Sequence, residues 1–109
     1  MNNMDIQRVV NFMKYDTETA IELARDDNGL GYQDFNDCEE RLYITKHGRY
    51  FVAGKGGAQT RWATRHGDDS RSSGQGIEPL TREEAIAWCE FHIGWDVETI
   101  EKHFEIEEA

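Results

Sequence analysis

Apolar and polar residues alternate with two different periods along this chain of 109 residues. Near the start, Ile6, Val9, Val10 and Met13 fall at i, i+3, i+4 and i+7, which predicts one stripe of a helix over residues 5–14. Asp5 stands where an N-cap would suit that helix in both hydrogen bonding and charge. Ala20, Ile21 and Ala24 repeat the spacing over residues 17–27. Asp16 or Thr17 offers a cap, and Asn28-Gly29 offers a left-handed exit. These stretches read as one bent helix or as a helix pair. Tyr32 and Phe35 follow as expected core anchors on a loop or short helical turn.

From residue 40 the period shortens to two. Residues 40–45 and 49–53 are rich in β-branched and aromatic side chains and read as strands. Lys46-His47-Gly48 between them reads as a hairpin turn, with Gly48 supplying a positive φ. Further strands are expected at residues 60–64 and 76–80, with a polar, breaker-rich loop between them. The helical period then returns. Thr81 followed by Glu84 is a capping box, and it opens a helix carrying Ala85, Ile86, Trp88, Cys89 and Phe91/His92 that stops near Gly94. Asp96 caps a last helix, with Val97, Ile100 and Phe104 expected inside. The pattern predicts an α+β fold: an antiparallel sheet of three or four strands, with N-terminal and C-terminal helices packed on it. One domain is expected over residues 1–109, divided into a helical segment to residue 40, a β region over 41–80 and helices over 81–109.

Charge sharpens this division. Residues 1–40 hold ten Asp/Glu against three Lys/Arg, a net of −7. Residues 41–76 hold two against seven, a net of +5, and residues 77–109 hold ten against two, a net of −8. The whole chain carries −10, which disfavours non-specific binding to nucleic acid or to anionic membranes. The basic island either packs against the acidic segments or faces outward, and both readings stand at this point. No signal peptide or apolar span is evident, so a cytoplasmic protein of a bacterial cell is expected. Cys38 and Cys89 lack metal or redox spacing and read as reduced, part-buried thiols.

Little in the chain carries recognisable chemistry. His47, His66, His92 and His103 are scattered without ligand spacing, so neither metal nor other cofactor is expected. Gly54-Lys55-Gly56-Gly57 lacks the GK[ST] ending and the following helix of a phosphate loop. It reads as a flexible exit from the hairpin, with Trp62 beyond it more core than stacking platform. No acid and base can be assigned, and no enzyme is expected.

From Leu42 to Phe104 the order of features resembles a group of small, uncharacterised bacterial and mobile-element proteins. The shared marks are Leu42-Tyr43-Ile44-Thr45-Lys46-His47-Gly48, Trp62, the run Thr81-Arg82-Glu83-Glu84-Ala85-Ile86-Ala87-Trp88, and Glu101-Lys102-His103-Phe104. In composition the chain is similar to phage inhibitors of bacterial defence, the anti-CRISPR and anti-restriction proteins. That likeness implies a non-enzymatic, DNA-mimicking inhibitor that meets a basic surface on a nucleic-acid-handling complex. Its expected contacts are Asp26, Asp27, Asp34, Asp37, Glu39 and Glu40 on one side, and Glu98, Glu101 and Glu105 on the other. A second reading is a nucleic-acid or nucleotide binder using Arg49, Lys55, Arg61, Trp62, Arg65 and Arg71. A third is an antitoxin-like partner of another protein. Either a monomer or a homodimer fits.

Overall fold

The computed structural model describes residues 4–31 and 34–109. Its centre is a four-stranded antiparallel sheet with strands adjacent in the order β3–β4–β5–β8. These are β3 (Ile21–Asp27), β4 (Cys38–Ile44), β5 (Tyr50–Gly56) and β8 (Gly74–Leu80). The expected turn joins β4 to β5, with Gly48 at φ 81°. Two helices, α1 (Arg82–Ile93) and α2 (Val97–His103), cover one face. A hairpin of β1 (Gln7–Val10) and β2 (Met13–Asp16) covers the other. A small hairpin, β6 (Thr64–Arg65) with β7 (Arg71–Ser72), precedes β8.

The fold is α+β, but among the described residues its helices lie only at the C-terminal end. The helical readings of residues 5–14 and 17–27 are corrected: both segments are strands. In the first, Asn11 and Phe12 take φ of 52° and 67°, the paired left-handed residues of a two-residue hairpin turn. Val9 and Met13, half of the supposed apolar stripe, are exposed, while Ile6 and Tyr15 are buried. Thr17 is not a helix cap. Its hydroxyl donates to Met4 O at 2.6 Å and accepts from Ile6 N at 3.0 Å, which pins the base of the hairpin. In the second segment Ala24 packs inward across from Leu42, and Ile21 is exposed. Of the two expected core anchors, Phe35 is exposed and Tyr32 lies outside the described residues. The strand expected at 60–64 shrinks to Thr64–Arg65.

The alternating sides of β4 serve two cores. Leu42, with Val52 of β5, meets Ala85, Trp88, Cys89, Ile93, Ile100 and Phe104 of the helical layer. Tyr43, with Phe51 and Ala53, meets Met4, Ile6 and Tyr15 of the hairpin layer. Phe51 stacks on Tyr43 at 5.1 Å and takes Tyr15 edge-on at 5.5 Å. The capping box forms as its residues predict: Thr81 Oγ1 accepts from Glu84 N at 3.1 Å, and Thr81 N donates to Glu84 Oε1 at 2.8 Å. Val97, expected inside, is exposed, while Ile100 and Phe104 are buried.

Candidate functional site

The densest cluster of polar groups surrounds Glu40, on the helix-facing side of β4. Register places Asp26, Glu40, Gly54 and Gly76 side by side across the four strands. The two glycines leave a hollow, and the Trp62 ring fills it; a Cβ on Gly54 would fall inside the indole. Gly54 and Gly56 are therefore paired residues of β5, not a flexible exit, and Gly57 sits against the Asp34 and Phe35 carbonyls. Trp62 is half-buried and packs on the helical core.

Glu40 is only 4% exposed and accepts three hydrogen bonds. Its Oε2 accepts from Arg61 Nε at 2.8 Å and from Trp62 Nε1 at 2.9 Å. Its Oε1 accepts from Trp88 Nε1 at 2.8 Å, with His92 Nε2 at 3.4 Å. Burial pushes the carboxyl up, but the hydrogen bonds from Arg61, Trp88 and Trp62 outweigh it and hold it below the ordinary carboxylate value. Arg61 also donates to Glu78 Oε1 at 2.8 Å and lies 4.4 Å over the Trp62 ring. Burial pulls this guanidinium down, and Glu40 and Glu78 more than restore it.

Like charges face one another between β3 and β4, and other side chains bridge them. Asp26 stands across from Glu40, and His92 lies between, with Nδ1 2.7 Å from Asp26 Oδ2. Arg25 stands across from Arg41, and Glu22 reaches both at 2.8 and 3.5 Å. On the hairpin-facing side Arg41, 4% exposed, meets Glu39 at 2.7 Å, and Lys55 meets Glu39 at 3.7 Å. Uncompensated cross-strand pairs of one sign are destabilising, so each bridge holds the sheet in register.

These contacts limit the chemistry of the cluster. Three donors hydrogen-bond the buried Glu40 carboxylate, so most of its acceptor capacity is committed within the fold. Both nitrogens of His92 point at carboxylates. Cys89 is pushed up to about 11 by burial and the neighbouring Glu90, and Cys38 is raised by burial and Glu40. Neither thiol is activated for nucleophilic attack. Across the β6–β7 hairpin, His66 Nε2 lies 2.7 Å from Ser72 Oγ, a pair that sequence reasoning missed. Among the described residues no carboxylate holds its other ring nitrogen.

The expected contact residues separate into two sets. Glu39 and Glu40 are buried and neutralised by arginine, so the expectation that they face a partner is corrected. Asp26 is engaged by His92, Asp27 caps the Gly29 N–H at 2.6 Å, and Asp34 accepts from Asn36 N at 2.7 Å. Asp37 is half-buried. Glu98, Glu101 and Glu105 are exposed on and after α2. The basic set is divided as well. Lys55, Arg61 and Trp62 turn inward onto Glu39 and Glu40. Arg49 adjoins the Tyr50 end of β5, whereas Arg65 and Arg71 pair in the hairpin leading to Gly74, across from its Gly56 end. A strand of this length separates the ends by roughly 20 Å.

Two large aromatic residues stand in the open at the junction of the helices; Phe91, expected on the apolar stripe of α1, is corrected to an exposed position, and Trp95 was missed by sequence reasoning. Phe91 is 85% exposed and Trp95 is 82% exposed. Trp95 follows the Gly94 stop of α1, outside either helical stripe, which was the available signal for it. Comparison with family models, curated proteins and solved structures gives no match. Among the described residues no helix is long and apolar enough to cross a membrane.

Proposed function

We propose that the protein is a non-enzymatic interaction protein whose helical layer binds a basic surface on a nucleic-acid-handling complex, in the manner of an anti-CRISPR or anti-restriction protein. The observation that carries this reading is the presence in the same helical layer and the segment after it of exposed Phe91 and Trp95 and of the exposed carboxylates Glu98, Glu101 and Glu105. Large aromatic side chains anchor interfaces, and a surrounding charge of one sign selects and steers the partner. The inward turn of Lys55 and Arg61 supports it further, because the acidic excess is then left to the surface.

The test is affinity capture from a bacterial lysate with the wild type and with a Phe91→Ser/Trp95→Ser variant. The reading expects a nucleic-acid-handling protein bound by the first and lost by the second, with the fold of both unchanged by circular dichroism. Equal capture by both would remove the helical layer from the account. An antitoxin role is the competing possibility, and a toxin gene beside this one would favour it.

A further inference from the structure

A cavity of about 640 Å³ opens between β2 and the β4–β5 turn, on the hairpin side of the molecule. Its size lies within the usual range for small-molecule sites. Lys14, Lys46, His47 and Arg49 line it, against the single carboxylate of Asp16. This is a cationic hollow in a chain of net charge −10. Asp16 is largely spoken for. Its Oδ1 accepts from Glu18 N at 2.9 Å, and its nearest cation, Lys14, is 3.8 Å away on a mostly exposed side chain. Among the described residues the side chains of Lys46, His47 and Arg49 have no hydrogen-bond or ion-pair partner. They stand in sharp contrast to the committed cations Arg41 and Arg61.

The turn that carries these groups is tightly held. Thr45 Oγ1 accepts from Arg49 N at 3.1 Å and from His47 N at 3.3 Å, and Thr45 N donates to Arg49 O at 2.8 Å. Tyr15 at the cavity wall is anchored on Phe51. The cations thus project from a fixed frame, which lowers the ordering cost of binding. Arg49 also borders a neighbouring depression of about 350 Å³ that ends at Arg82, so the positive surface continues past the cavity mouth.

We infer that this cavity binds the phosphate groups of a phosphorylated small molecule, with Arg49 as the forked donor and Lys14 and Lys46 as point charges. Guanidinium and ammonium groups recognise phosphate oxygens through charge-assisted hydrogen bonds. The net negative charge of the protein opposes long-range capture, so recognition rests on these close contacts and weakens with salt. The inference is independent of the helical-layer interface, which lies on the other side of the sheet.

Calorimetric titration of the full chain with ADP and with adenosine at low salt tests it. ADP is expected to bind and adenosine not to bind. A Lys46→Ala/Arg49→Ala variant is expected to weaken ADP binding by at least about tenfold, because each lost contact is a hydrogen bond between charged groups. The control Arg65→Ala/Arg71→Ala removes the same charge elsewhere and is expected to leave affinity unchanged. Absence of ADP binding, equal binding of adenosine, an equal loss in the control, or tighter binding of a single-stranded oligonucleotide than of ADP would each overturn the proposal.

Discussion

Glu40 holds three parts of the chain together through one carboxylate: the Arg61-Trp62 loop, helix α1 and the sheet. Glu40→Gln puts an amide where only acceptors fit, and about 3 kcal/mol of stability is expected to go at neutral pH, as for other broken buried ion pairs. Chemical denaturation would measure it. The pH dependence has a definite sign. The carboxyl titrates lower in the folded chain than in the unfolded one, so the unfolded chain takes up the proton first. Its contribution is complete above the ordinary value of 4.5 and is lost as pH falls below that through the folded value. The glutamine variant lacks this part of the acid sensitivity, so its stability is expected to change less with pH in that window. At Gly54, alanine would collide with the Trp62 ring and cost about 2 kcal/mol as an overpacked site. Loss of the protected Trp62 indole proton signal in NMR would report the displacement. Phe12→Gly relieves a left-handed bulky residue at the hairpin tip, and a gain of about 1 kcal/mol in thermal unfolding experiments is expected.

Elements whose signals are local were legible in the sequence. The Thr81/Glu84 capping box, the Gly48 turn and the Asp96 cap each satisfy their own backbone groups, so no distant partner is needed to read them. The first 27 residues failed that reading for a physical reason. Ile6, Val9, Val10 and Met13 match a helical stripe by spacing alone, while adjacent β-branched valines and a turn-forming Asn11 favour a hairpin. β3 carries alanine, arginine and aspartates with weak strand preference, and its pairing with β4 decides its state. Its like-charge neighbours are bridged by His92 and Glu22, with Glu39 on Arg41 and Arg61 on Glu40 adding to the compensation. His92→Ala is accordingly expected to cost about 1 kcal/mol and to loosen α1 from β3, seen as faster amide exchange in both elements. The Glu40 cluster had one sequence signal: glycines two apart, at Gly54/Gly56 and Gly74/Gly76, mark one face of paired strands kept clear for a large side chain.

At the scale of the molecule, charge is sorted by layer. Glu39, Arg41, Lys55, Glu40 and Arg61 neutralise one another at the sheet, and the two helices and the tail carry many of the open carboxylates, with Asp5, Glu18, Asp27, Asp68 and Asp69 open elsewhere. The block pattern of acid, base and acid was legible; which members pair required the register of four strands. The candidate interface was half legible, since Glu98, Glu101 and Glu105 are exposed as expected while Glu39 and Glu40 are not. The most direct test of the helical-layer account is the association rate with the captured partner, measured across a salt series for the wild type and for Glu98→Lys/Glu101→Lys/Glu105→Lys. The account predicts an on-rate that falls steeply with salt in the wild type and falls at least about tenfold on charge reversal at low salt. An on-rate indifferent both to salt and to the reversal would contradict it.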